Sequence, residues 1–424
     1  MNTPNESASG AAESGGRLPL QGIKVVSLCH YLQGPAAVQY LADMGAEVTK
    51  IEPRHGAFER HWSGANVFID GVSGFYLAAN RNCRSVALDL KTARGREIVL
   101  KLVAQADVVV DNFRTGVMER LGLGEAELRA ANPGLIIASA TGFGASGPLR
   151  DSPGQDLLVQ ARTGLIAATG HYSTHPSPVG CAPVDQHGAS LLAMGILGAY
   201  IHKLRTGEGT RVESSLFNAG IDLQQEALAN YYSGGFQKSK LDRAHQLGTW
   251  FHAAPYGVYR LADGKLIAIS NVDPVKFAKA LESEDLMAIA SIDRHVERDR
   301  YAATTARVLS RLKYSEVSAR FDEYSIWYAP VNTYDELFED PQARHNEVFE
   351  STVVKENVAT LVRHPISYNG TKPGMRFVAL SCGEHTEQVL HELGYSNEDI
   401  SALSQQEVVA LGAPQIIQSN ELHA

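Results

Sequence analysis

Cysteine is scarce in this chain: four stand among 424 residues, at positions 29, 83, 181 and 382, and none has CxxC or CxxH spacing. That excludes a zinc ribbon and a disulfide scaffold, and it points to a reducing compartment, the cytoplasm. Basic charge is in deficit, with 38 Lys and Arg against 47 Asp and Glu and a net charge of -9. No run of Lys and Arg interleaved with aromatics offsets it, so a nucleic-acid surface is excluded. Long apolar runs are missing as well. Leu191 to Ile201 comes nearest, but it is too short and too rich in small residues to span a bilayer, and it reads as a buried helix. Residues 1–17 have almost no large apolar side chain and lack the cationic and apolar parts of a secretory signal, so a disordered leader is expected. His171, His175, His187 and His202 fall close together without accompanying carboxylate spacing, and no metal site is read from them.

What remains is an ordinary globular composition, 44% hydrophobic and 20% charged, in a chain long enough for two domains. IKVVSL at 23–28 reads as a strand. Gly34-Pro35 opens a helix with Val38, Leu41 and Met44 at helical spacing, and EVTKIE at 47–52 is the next strand. This βαβ pattern continues through strands at 85–88, 108–110 and 135–140, with a helix capped by Thr92 between the first two. The first 150 or so residues therefore predict an open α/β sheet. The turn after its first strand reads CHYLQGP, without the GxGxxG of a dinucleotide site. An apolar helix is expected from Gly188 to Leu204, packed centrally, then a strand at 211–216 and an extended connector. Near 250 a second domain begins. A hairpin with an Asp263-Gly264 type I′ turn is followed by a helix started by Asp273 or Pro274 and by amphipathic helices to about 320.

The polar residues fall into separated motifs. These are LADMGAEVTKIE at 41–52, NRNCRS at 80–85, AD-x-x-x-x-N-F at 106–113 and G-x-x-x-R-x-G at 116–122. Further on come GFG-x-x-GP at 142–148, CAPVDQHGAS at 181–190, RTGEG at 205–209, APYGVY at 254–259 and GEHT at 383–386. In order and spacing the set resembles CoA-transferase family III (the CaiB/BaiF family), and the resemblance runs from about residue 18 to 400.

The resemblance implies an α/β fold in which a Rossmann-like open parallel sheet lies in a large domain built from both chain ends. On this reading 18–216 is the large domain with its CoA-binding part, 217–249 a connector, 250–329 a small α+β domain and 330–424 the return segment. It also implies an interlocked homodimer that moves coenzyme A from an acyl-CoA to a free carboxylic acid.

Asp185 matches the family's nucleophile. Read from its neighbours alone, it would cap the helix after it. As a nucleophile it would attack the acyl-CoA carbonyl and pass through an aspartyl anhydride and an aspartyl-CoA thioester. The turn after the first strand is implied in the active site, with His30 and Gln33 as donors. Leu32 stands where the oxalate enzyme has glutamine, and this hints at a less polar acyl group. Gln155 replaces the histidine of the racemase branch, and an amide does not titrate near neutrality, which argues against a CoA-thioester racemase. Asp156 matches an acidic residue beside the nucleophile and either orients donors or caps a helix. Coenzyme A contacts are implied at Arg54, Leu88, Lys91, Asn112, Phe113, Arg114 and Arg120, where arginine forks suit the phosphates. Cys83 reads as too buried to act. The family's glycine-rich closing loop is absent, and Trp250 and Phe251 are candidate apolar walls for a bulky acid. A non-catalytic CoA-binding protein is the remaining alternative, and it would need no nucleophile.

Overall fold

The computed structural model describes residues 18–236 and 238–412, so the leader expected at 1–17 lies outside the described residues. Its main sheet contains Lys24–Leu28 (β1), Glu47–Glu52 (β2), Cys83–Leu88 (β3), Val108–Asp111 (β4), Ile136–Thr141 (β5), Arg211–Ser215 (β6) and the short Val409–Ala410. The spatial order is Val409–Ala410, β3, β2, β1, β4, β5, β6. Each neighbouring pair from β3 to β5 is parallel, and Val409–Ala410 runs antiparallel on the outer edge of β3. The fold is thus mixed α/β around a sheet dominated by parallel strands.

These strands form where they do because both their faces are covered. Val26, Leu28, Ile51, Val86, Leu88, Val109 and Ile137 join one core with Ile98, Val99 and Val103 of the helix Ala93–Val103. A parallel strand covered on both faces has no solvent side to keep polar, hence the nearly unbroken apolar runs. Thr92 starts that helix by accepting from the Gly95 N–H at 3.0 Å. Helix α1 (Gln33–Asp43) makes the crossover from β1 to β2. From β1 the chain adds strands in one direction as far as β3, then returns to the other side of β1 with β4. That reversal falls at the carboxyl ends of β1 and β4, the place where open α/β sheets bind ligands.

The chain divides into two compact units. Among the described residues, one is formed by 18–139, 192–212 and 349–412, the other by 140–191 and 213–348. The second unit contains helix α2 (Asp156–Arg162), the start of helix α3 (Pro183–Thr206) and helix α4 (Leu216–Asp222). It also holds a three-stranded antiparallel sheet of Gly257–Arg260, Leu266–Ile269 and Tyr328–Pro330. Helices between 274 and 323 pack on that sheet through Phe277, Leu286, Tyr301, Leu309 and Phe321.

Three local expectations need correction. Helix α3 begins at Pro183 rather than Gly188. Proline is favoured in a first turn, where its missing N–H would have had no intrahelical partner. The stretch after 216 is helical, α4 followed by Gln225–Ser233, not extended. Ser215 caps α4 by accepting from Asn218 N, while Leu216 and Ala219 find apolar cover on Val159 and Val184. The hairpin turn is not type I′. Leu261 N bonds to Lys265 O, and only Gly264 of Ala262-Asp263-Gly264 has positive φ, at 82°. This is a three-residue turn with glycine in the left-handed position.

Candidate active site

In the first unit the turn after β1 is clamped from two sides. The Asn112 side chain, just past β4, accepts from His30 N at 2.8 Å and donates to His30 O at 2.6 Å. Tyr31 takes a positive φ of 63°, and its N–H is held by Glu59 Oε2 at 3.2 Å. Glu59 is fully buried and bridges to Lys50 Nζ, 3% exposed, which also donates to Asn80. A buried pair of this kind is held by its mutual geometry, and here it fixes a turn that a tyrosine would otherwise resist. Gly34 permits the tight approach: a Cβ there would lie 2.6 Å from Cys29 Sγ.

The residues so fixed have open chemistry. Burial, then the Lys50 ammonium, holds the His30 imidazole below its usual pKa, so it stands neutral near pH 7. Its ring lies 5.5 Å from that of Phe113. Gln33, 5% exposed, has a buried Nε2 with no acceptor among the described residues, and the α1 N-terminus has no side-chain cap. Asp111 closes β4, its carboxyl pushed up to about 6 by burial although Ser139 Oγ donates to it at 2.8 Å.

Arg54, Lys91 and Asn112 to Arg114 all follow the carboxyl ends of the parallel strands β2, β3 and β4, so the sheet sets them on one edge. Arg54 pairs with Glu407 at 3.3 Å yet keeps its Nε buried and, among the described residues, unbonded. Lys91, Arg114 and Arg120 are exposed. Leu88 sits at the end of β3. It is 1% exposed in the apolar core, its backbone pairs with Val409, and its side chain packs the sheet. Cys83 is 4% exposed, with its thiol raised to about 12 chiefly by burial, and is chemically silent.

In the second unit Asp185 lies in the first turn of α3, not ahead of it. The capping role falls instead to Asp156, whose Oδ2 accepts from Val184 N at 2.8 Å and from Asp185 N at 3.0 Å. No hydrogen-bond donor reaches the Asp185 carboxylate among the described residues, so the helix-cap reading of Asp185 fails on geometry. Burial, then the Asp156 charge, raises its carboxyl to about 7, while the positive end of the helix favours the anion. Two residues on, His187 Nε2 bonds Asp222 Oδ2 at 2.7 Å.

Gln155 stands at the N-cap of α2, exposed and with no side-chain cap bond. Its approach is shaped by glycine. A Cβ on Gly154 would lie 2.3 Å from the Gly142 Cα, so the two loops cross backbone to backbone. Trp250, expected as a wall, is 8% exposed and packs on Tyr231 and Phe251. Sequence reasoning missed Lys50, Glu59 and Gln160. Only the charge inside the strand EVTKIE and the i, i+4 spacing of Asp156 and Gln160 hinted at them.

Comparison with known proteins supplies the class. The model of CoA-transferase family III matches residues 20–386, and the chain belongs to that family. The succinate–glutarate CoA-transferase of Agrobacterium fabrum is 33% identical, over 88% of this chain and 96% of that one. The human succinyl-CoA:glutarate CoA-transferase is 30% identical, over 91% of this chain and 88% of its own. A CaiB/BaiF family protein from Brucella suis has a TM-score of 0.76 at 29% identity, covering 89% of this chain and 100% of that one. The protein is a CoA-transferase.

Proposed function

We propose that this enzyme moves coenzyme A from succinyl-CoA to a second dicarboxylic acid by covalent catalysis on Asp185. Its relatives support the substrate class: besides the glutarate enzymes, they include transferases named for malate and mesaconate. The observation that carries the mechanism is the Asp185 carboxylate itself, half-buried at a helix start, with its neighbouring N–H groups taken by Asp156 and its own oxygens unpaired among the described residues.

The reaction runs in four displacements. Asp185 attacks the thioester carbonyl and CoA leaves as thiolate, giving a mixed anhydride. The thiolate attacks the aspartyl carbonyl and releases the first acid, giving an aspartyl-CoA thioester. The acceptor carboxylate attacks that thioester, re-forming an anhydride and the thiolate. Attack of the thiolate on the new acyl carbonyl gives the product and frees Asp185. Gln33 Nε2, neutral His30 and the uncapped start of α1 supply donors to the negative charge that develops. Arg54, Lys91, Arg114 and Arg120 take the phosphates of CoA, with Asn112 and Phe113 beside them. Gln155 cannot shuttle a proton, so racemisation is not the reaction. The catalyst is an interlocked homodimer, its large domain drawn from both chain ends, and it works in the cytoplasm.

Asp185→Asn tests this directly. The native enzyme incubated with succinyl-CoA should gain mass on the peptide containing Pro183 to Gly188 after hydroxylamine trapping, and the Asn variant should not. CoA binding should be nearly unchanged. Transfer that survives in the Asn variant, with no reversion to Asp, overturns the proposal.

A further inference from the structure

We infer that Gln160 is a positioning residue for the transfer reaction: its carboxamide locks Asp156 against the start of α3 and so fixes the direction in which Asp185 is presented. The inference rests on Asp185 as the nucleophile.

Gln160 is 1% exposed and lies one helical turn after Asp156 on α2. Its Nε2 donates to Asp156 Oδ1, and its Oε1 accepts from Val179 N at 3.0 Å. Only this orientation of the amide works, because the reverse would set oxygen against carboxylate and NH2 against N–H. The other Asp156 oxygen holds Val184 N and Asp185 N. The chain of bonds therefore runs from the loop before α3, through Gln160 and Asp156, to the backbone of Asp185. Beside it, Val159 and Val184, both fully buried, join α2 to α3 with Leu216 and Ala219. The apolar contact sets the distance between the helices, but it cannot set the rotation of a first turn. Directional bonds can, and each has a single donor and acceptor arrangement.

The double variant Asp156→Asn/Gln160→Glu separates geometry from charge. The introduced asparagine would still accept from Val184 and Asp185 through its Oδ1, and its NH2 would donate to the introduced glutamate. That glutamate would in turn accept from Val179. Every hydrogen bond survives with the charge moved by one side chain. Gln160→Glu alone sets two carboxylates face to face, and Gln160→Leu removes both bonds. Each single Gln160 variant should lose about 10- to 100-fold in kcat, the cost of a misplaced reacting group. KM for succinyl-CoA should stay within about twofold, since CoA is held elsewhere. The double variant should recover most of the loss. A Gln160→Leu enzyme with native kcat overturns the inference, as does a double variant no faster than Gln160→Glu. Native turnover in Asp185→Asn would instead overturn the covalent mechanism on which the inference rests. Should Gln160→Leu not fold, the comparison of Gln160→Glu with the double variant decides alone.

Discussion

At the scale of single residues, the proposed role of Asp185 ties both rate and stability to its charge state. In the proposed mechanism the attacking species is the carboxylate, and burial together with Asp156 brings its carboxyl to about 7. The first-order rate of aspartyl anhydride formation should therefore climb with pH through about 7 and level off above it. Asp156→Asn removes the repelling charge, so its rising limb should move toward lower pH even as its maximum falls. A limb that stays in place would show that Asp156 does not act on Asp185 electrostatically. The stability consequence has the opposite sense. A folded carboxyl with a raised pKa binds more protons than the unfolded chain between about 4 and 7, so stability falls as pH rises through that window. Above it, Asp185→Asn should be more stable than the native protein, by about 1–2 kcal/mol, a figure kept below full linkage because the group keeps some contact with water. Urea unfolding at about pH 8 and at about pH 4 checks this: the gain should appear at the higher pH and vanish at the lower.

At the scale of elements, the active parts are set by places where two segments come closer than side chains allow. Where Gly154 crosses Gly142, the obstacle to a Cβ is backbone, not a flexible side chain. Gly154→Ala should cost about 1–3 kcal/mol by overpacking, and it should lower kcat because α2 begins two residues later with Asp156. Thermal unfolding and turnover together check this, and a fully active, equally stable variant would refute it. The same elements show what a sequence can display. The β1 to β5 strands were legible because strands covered on both faces announce themselves as apolar runs, and Thr92 and Asp273 were legible as caps because capping is local. The start of α3 was hidden because PVDQH has the polarity of a loop, and its cap comes from Asp156, 28 residues before Val184. The helix after 216 was hidden because Leu216 and Ala219 have meaning only against Val159 and Val184. Asp185, His30 and Gln33 were named through motifs, whereas Glu59 is set by tertiary partners that no local pattern displays, and Gln160 showed only its i, i+4 spacing from Asp156.

At the scale of the whole molecule, helix α3 poses a question about assembly. Its apolar composition led to the expectation of a centrally packed helix, yet Met194, Ile201 and Leu204 are 63%, 50% and 69% exposed in the single chain. Positions 194, 201 and 204 share one stripe, since they are spaced by seven and three residues. Large apolar side chains aligned in this way on a helix are the signature of a surface that another chain covers. The proposed homodimer supplies that cover, and burying such side chains is worth about 1.5–3 kcal/mol each. Replacing two of them with charge should therefore be ruinous for assembly and mild for the fold of each chain. Sedimentation velocity at about micromolar concentration should find the native protein entirely dimeric. Ile201→Glu/Leu204→Glu should be monomeric or misassembled and inactive, because in an interlocked dimer neither chain is complete without the other. A double variant that remains a fully active dimer would show that α3 is not at the interface. A native chain that is active as a monomer would refute the interlocked assembly. A native chain that is inactive alone but rescued by a different polypeptide would assign the stripe to a second kind of subunit, as the alpha-subunit names of the Chloroflexus aurantiacus malate transferases suggest for those relatives.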